Sequence, residues 1–429
     1  YEVRLSLVGS EMCIRDSHWP ILKRLITHSH RVFVVDDQRA YRGMELFIAA
    51  LHVAEAVHAR SRSRHVGVLL PTGGAFPIAA LAIWMLGRTV VPLNYLLKPE
   101  ELQFVVDDSE IDAIITAGPM LDYLNSSAGG APGAGIPRGV DLIGMETLTF
   151  RAMPEPRWPA TARGDDLGVL LYTSGTSGKP KGVMLTHGNV RTNVQQCIEF
   201  LDVTEREVIL GVLPQFHSFG MTVLTLLPLS LAAKAVYTAR FVPAKILRLI
   251  REHKPTIFVA IPSMYNALLH VKDARPEDFA SMRLPVSGGE PLPRAVADAF
   301  RERFGVTITE GYGLTETSPV TNICRPQEFR AHSVGRPIPR VVECIIDPDT
   351  GAELPPGKDG EVRISGPNVM RGYFKRPAEN AAAFDARGFF RTGDIGRFDE
   401  AGHLYITGRL KEMLIIAGEN VFPREIEEV

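Results

Sequence analysis

The stretch "LGVLLYTSGTSGKPKG", Leu167 to Gly182, sets an unbroken apolar run directly against glycines, hydroxyl side chains and paired lysines. The run reads as a buried strand, and the residues after it read as a loop suited to an anion. Glycines let backbone N–H groups turn inward and approach closely, hydroxyls add donors, and lysines supply the counter-charge. A polyphosphate is the guest this composition favours. Two familiar phosphate loops fail on spacing. A Walker A loop has the form G-x-x-x-x-G-K-[ST], whereas its second glycine falls on Pro180 when counted from Gly175 and on Val183 when counted from Gly178. A dinucleotide fingerprint, G-x-G-x-x-G, has its nearest match at Gly311-Tyr312-Gly313-Leu314-Thr315, which continues into Glu316 where the last glycine should stand. A flexible Gly/Ser linker fits poorly, because linkers seldom carry paired lysines and a proline between apolar segments.

Working outward, the pattern becomes regular from Val66: "VGVLL" reads as a strand, "AFPIAALAIWML" as a buried helix, "TVVPL" as a strand, "KPEELQFVVDD" as a helix and "IDAIIT" as a strand. Pro99, Glu100 and Glu101 suit the first turn of the second helix. Alternation of this kind predicts an α/β fold with a parallel sheet covered on both faces. It resumes at "LGVLLYTSG" and runs through "EVILGVLP", "KAVYTA", "TIFVAIP", "RLPVSGG" and "VTITEGYG", giving a second α/β layer. After Thr317 short strands and turns take over, as in "RVVECIIDPDTG" and "DGEVRISG", and predict a small β-rich subdomain. Asn125 to Gly139 reads as a Gly/Ala/Pro-rich loop, and Tyr1 to Ser17 as a non-native leader, with periodicity beginning near Trp19.

The 429 residues are 45% hydrophobic and 22% charged, in the range of a globular chain of more than one domain. A formal net charge of −2 gives no basic excess, so nucleic acid is not an expected partner. Cys13, Cys197, Cys324 and Cys344 lack C-x-x-C spacing, which argues against a zinc site or disulfide framework and leaves a reducing cytoplasm as the expected compartment. The longest apolar stretch, Met221 to Tyr237, is interrupted by Pro228 and Lys234 and reads as a buried helix running into a strand rather than a membrane span. Peripheral contact with a membrane and the oligomeric state are left open.

With these motifs in order, the chain resembles the adenylate-forming superfamily of acyl-CoA synthetases, nonribosomal adenylation domains and luciferases, over Trp19 to Val429. The resemblance implies an N-terminal AMP-binding domain over residues 18–407, made of two α/β subdomains and a small β-barrel-like one at about 331–407. Residues 408–429 would be the hinge and the start of a C-terminal lid that is largely absent. Within "YTSGTSGKPKG" it assigns Thr173, Ser174, Gly175, Thr176, Ser177, Gly178 and Lys181 to the β- and γ-phosphates of ATP.

"EGYGLTE", Glu310 to Glu316, places an aromatic face, a hydroxyl and a carboxylate close together, groups that suit a purine, a phosphate oxygen and Mg²⁺. The resemblance gives Tyr312, beside Gly313, to adenine, Thr315 to the α-phosphate and Glu316 to magnesium. In "SGGEPLP" it places Gly288, Gly289 and Glu290 at the adenine and acyl pocket, although a tight turn feeding a helix explains them equally. In "FRTGD" and "GRLKE" it makes Asp394 the ribose ligand, with Arg409 beside it and Lys411 as the hinge. His217 of "LPQFHSFG" fits either a histidine satisfied by a backbone carbonyl or, by resemblance, the mouth of the acyl pocket.

The implied chemistry is attack of a carboxylate on the α-phosphorus of ATP, then capture of the acyl group by coenzyme A. Such a site needs positioning and charge stabilisation rather than a protein nucleophile. The sequence looks most like a fatty-acyl-CoA synthetase. An aryl-acid ligase, an acyl-carrier-protein synthetase and a nucleotide-binding module without catalysis remain alternatives. Without its lid the chain is expected to bind nucleotide and acid, adenylate slowly and make little thioester.

Overall fold

In the computed structural model, which describes residues 17–127, 133, 135–150, 154–155, 158–173, 179–412, 414–416 and 419–421, the apolar run is the strand Leu167–Thr173. Its side chains alternate between two cores. Val169 and Leu171 pack with the helix Ala75–Met85, while Leu170 packs with Leu102, Val105 and Val106 of the helix Pro99–Ser109. Burial on both faces explains why the strand is continuously apolar. Its sheet has seven strands, ordered Gly372–Tyr373, Lys181–Thr186, Leu167–Thr173, Thr89–Pro92, His65–Leu69, Ala113–Thr116 and Asp141–Gly144. The last five run parallel, as expected. The first two pair antiparallel, because the connection between Thr173 and Lys181 is too short for a crossover and must close as a hairpin.

A nine-stranded sheet runs from Arg336–Pro337 through Val320–Ile323, Thr309–Gly313, Leu284–Ser287, Ile257–Ala260, Val208–Gly211, Lys234–Tyr237 and Val32–Val35 to Ala40–Arg42. One face packs on the helices Pro243–His253, Pro262–Leu269 and Arg294–Phe304. The other shares one core with the seven-stranded sheet across the helices Gly43–Arg60 and Ala75–Met85. The fold is thus a stack of helices, sheet, shared helices, sheet and helices. Ala75–Met85 is apolar all round because it lies between the two sheets, with ten of its residues buried.

The region after Thr317 divides among three sheets. Val320–Ile323 and Arg336–Pro337 extend the nine-stranded sheet, and Gly372–Tyr373 edges the seven-stranded one. Val342–Ile346, Gly360–Ser365, Phe390–Phe398 and Leu404–Arg409 form a separate antiparallel sheet of four. At the other end, residues 1–16 lie outside the described residues. Ser17, assigned to the leader, is buried and donates through its hydroxyl to the His187 carbonyl at 3.1 Å.

Candidate active site

The hairpin that begins with the strand Leu167–Thr173 brings Thr173 opposite Lys181. Ser174, Gly175, Thr176, Ser177 and Gly178 lie outside the described residues. Lys181 begins the returning strand, and its Nζ stands 5.5 Å above the ring centre of Tyr373.

The strand Thr309–Gly313 presents the second motif, and Gly313 is forced by close approach, since a Cβ there would fall 2.0 Å from the Pro319 carbonyl oxygen. Tyr312 Oη donates to Asp394 Oδ2 at 2.6 Å, and Arg409 Nε meets Asp394 Oδ1 at 3.0 Å. Asp394 and Arg409 are register partners on adjacent strands of the small sheet, so the two motifs read separately along the chain meet in one ion pair. Asp394 is 3% exposed. Burial raises its carboxyl above the usual range, against the opposing pull of the Tyr312 hydrogen bond and Arg409. Lys411 is exposed in the turn Leu410–Glu412, close enough for its charge to lower the Asp394 pKa.

Thr315 and Glu316 occupy the helical turn Thr315–Thr317. Thr315 Oγ1 lies 3.3 Å from the hydroxyl of Ser218. Glu316 Oε1 accepts from Tyr373 Oη at 2.8 Å, and the Glu316 carbonyl accepts from Met370 N at 2.7 Å. Burial pushes the Glu316 carboxyl up, only partly offset by its hydrogen bonds. A desolvated carboxylate of this kind suits a hard cation. Among the described residues no group of three or more His, Cys, Asp or Glu could hold a metal by itself. Glu316 would therefore hold Mg²⁺ jointly with phosphate oxygens, which is the usual magnesium arrangement.

Gly288 is buried against Phe219, where a Cβ would lie 3.0 Å from a ring carbon, and Gly289 takes a φ of +87°. Glu290 is exposed. His217 precedes the short helix Ser218–Met221, with its ring centre 4.5 Å from that of Phe216. The imidazole reaches solvent, while the protein packed around it holds its pKa below the ordinary value.

The structure thus joins Tyr312 with Asp394 and Arg409, Glu316 with Lys181 through Tyr373, and Thr315 with the segment next to His217. Ser218 and Tyr373 were missed by sequence reasoning. Ser218 lies inside a motif read only for its histidine, and a lone tyrosine between "RG" and "FKRP" carries no pattern of its own.

The sequence matches the AMP-binding enzyme family over residues 23–374. It is 39% identical to a long-chain-fatty-acid–CoA ligase of Bacillus subtilis (strain 168), over 85% of this chain and 70% of that protein. It is 31% identical to 4-coumarate–CoA ligase 5 of Oryza sativa subsp. japonica, over 84% of this chain and 69% of that protein. The fold matches the crystal structure of ATP-bound MatB from Rhodopseudomonas palustris with a TM-score of 0.84 at 29% identity, covering 96% of this chain and 82% of that one. Family match, fold and the joined motifs agree: the chain belongs to the AMP-binding enzymes and is an AMP-forming acid–thiol ligase.

Proposed function

We propose that the acid is a medium- or long-chain fatty acid, activated to acyl-AMP with loss of pyrophosphate and then captured by coenzyme A with loss of AMP. One observation carries the choice of acid: half-buried Phe219 and Ile261 flank Gly288 and Gly289, where a Cβ would lie 3.0 Å and 3.8 Å from them. That apolar surface suits an alkyl chain. The similarity to a long-chain-fatty-acid–CoA ligase supports the same reading. The coumarate ligase relative favours an aryl acid as the second reading.

In the first step a carboxylate oxygen bonds to the α-phosphorus as the α–β bridging bond breaks. In the second, the thiol displaces AMP from the acyl carbon. Lys181, Thr173 and the loop of residues 174–178 would hold the β- and γ-phosphates, Thr315 the α-phosphate, Tyr312 and Gly313 the adenine side, and Asp394 with Arg409 the ribose. His217 would stand at the mouth of the acid pocket beside Gly288, Gly289 and Glu290, and Lys411 would serve as the hinge. Bound at Glu316, Mg²⁺ would neutralise charge developing on the phosphate oxygens. A cytoplasmic location belongs to the same proposal, supported by the free, buried Cys197, Cys324 and Cys344. No helix of the described residues is long and apolar enough to cross a membrane.

Acid-dependent ATP–pyrophosphate exchange, run with saturated fatty acids, cinnamic and benzoic acids and amino acids, tests the assignment. Fatty acids should support exchange about tenfold or more above the aryl acids, a preference worth about 1.4 kcal/mol. An equal or greater rate with cinnamic acids would transfer the site to the aryl reading.

A further inference from the structure

Residues 368–376 form a strap that touches the site from two sides. On one side it holds the turn Thr315–Thr317: Met370 N donates to the Glu316 carbonyl at 2.7 Å, and Asn368 Nδ2 donates to the Thr317 carbonyl at 2.9 Å. On the other side it pairs with the strand that begins at Lys181, through Arg371 N to the Met184 carbonyl at 3.0 Å and Phe374 N to the Gly182 carbonyl at 2.7 Å. Beyond these, Arg376 reaches Asp108 at 3.3 Å and Lys375 reaches Glu110 at 2.8 Å, pinning the far end to the helix Pro99–Ser109 and the residue after it.

Tyr373 is the side chain of this strap that faces both halves of the site. Its backbone is fixed on both sides by one residue, since Tyr373 N donates to Asn380 Oδ1 at 2.6 Å and Asn380 Nδ2 donates back to the Tyr373 carbonyl at 2.8 Å. The preceding Gly372 has a φ of +138°, and a Cβ there would fall 2.8 Å from Asn380 Oδ1, so the clamp requires glycine. From this fixed base the phenol donates to Glu316 Oε1 at 2.8 Å, while the ring lies 5.5 Å beneath the Lys181 ammonium.

We infer that Tyr373 is a positioning residue that sets the Glu316 carboxylate and the Lys181 ammonium in register with each other. The hydrogen bond occupies Oε1 of the carboxylate, so Oε2 would be the oxygen that remains for a bound cation. The ring holds the lysine by a cation–π contact where the phosphate loop returns to its strand. The two contacts are separable, because the hydroxyl serves Glu316 and the ring serves Lys181. The inference rests on the proposed roles of Glu316 toward magnesium and Lys181 toward phosphate.

The test is calorimetric binding of ATP to the full chain, without magnesium and at a series of fixed free magnesium concentrations, with melting curves to establish that each variant folds. Tyr373→Phe should leave magnesium-free ATP affinity within about twofold of the parent, yet raise the magnesium needed for half its effect about five- to tenfold, within the range of one ordinary hydrogen bond lost. Tyr373→Leu, which also removes the ring, should weaken magnesium-free ATP binding as well. In a Glu316→Gln background, Tyr373→Phe should add no further change in magnesium dependence, a non-additivity that a general packing role would not produce. Parental magnesium dependence in Tyr373→Phe, alongside a raised requirement in Glu316→Gln, overturns the positioning role and leaves the reading of Glu316 intact. Parental dependence in Glu316→Gln itself removes the reading of Glu316, and the role of Tyr373 falls with it.

Discussion

Glu343 shows how far a single carboxyl departs from its ordinary chemistry in this fold. Its Oε2 accepts from Asn322 Nδ2 at 3.0 Å, while Oε1 is buried with no hydrogen-bond partner among the described residues. Burial pushes its pKa from 4.5 up to about 8. The folded state therefore holds a proton that the unfolded chain has released across that whole interval. Stability should be full below the ordinary carboxyl pKa and fall as pH rises to about 8, by about 1.4 kcal/mol per pH unit as an upper bound. Glu343→Gln keeps an acceptor for Asn322 without the titration. Its melting temperature should fall less than the parent's between about pH 5 and about pH 8, as scanning calorimetry in matched buffers would read. Asn322 is the register partner of Tyr312, so this titration bears on the strand Thr309–Gly313. Tyr312, Thr315, Glu316 and Asp394 were legible as candidates because each stands in a motif of distinctive composition. Glu343, Ser218 and Tyr373 were not, because their significance lies in a partner supplied by a distant segment.

Among the elements, the strand that decides the fold was legible because burial on both faces leaves an unbroken apolar run before the loop. The helix Ala75–Met85 was legible for the same reason. Its Trp84 donates through the indole nitrogen to the Gly168 carbonyl at 2.8 Å, tying the helix between the sheets to the strand Leu167–Thr173. Trp84→Phe removes this buried hydrogen bond and should cost about 1–3 kcal/mol, plus a contribution from lost volume. Urea unfolding measures it, and a change of a few tenths would mean the hydrogen bond is readily replaced. Elements near the N-terminus were not legible in advance. Val32–Val35 is short, and it acquires its role only by pairing parallel with Lys234–Tyr237, far along the chain. The strand Gly372–Tyr373 has two residues, too few for any periodicity.

Across the whole molecule, the site draws on all three principal sheets. Lys181 and Tyr373 come from the seven-stranded sheet, Tyr312 and Gly288 from the nine-stranded sheet and the turn after one of its strands, and Asp394 and Arg409 from the sheet of four. The sequence revealed the order of motifs and the alternation of elements. The way in which the region after Thr317 divides among the sheets depends on pairing that no local pattern encodes. We propose that this convergence joins a carboxylate to the α-phosphorus of ATP. The decisive measurement is turnover with a fatty acid labelled with oxygen-18 in its carboxylate, followed by mass spectrometry of the nucleotide. Label should appear in AMP and not in pyrophosphate, because the carboxylate oxygen that attacks stays on the phosphorus when the thiol takes the acyl group. Label in inorganic phosphate, with ADP as the nucleotide product, would contradict it.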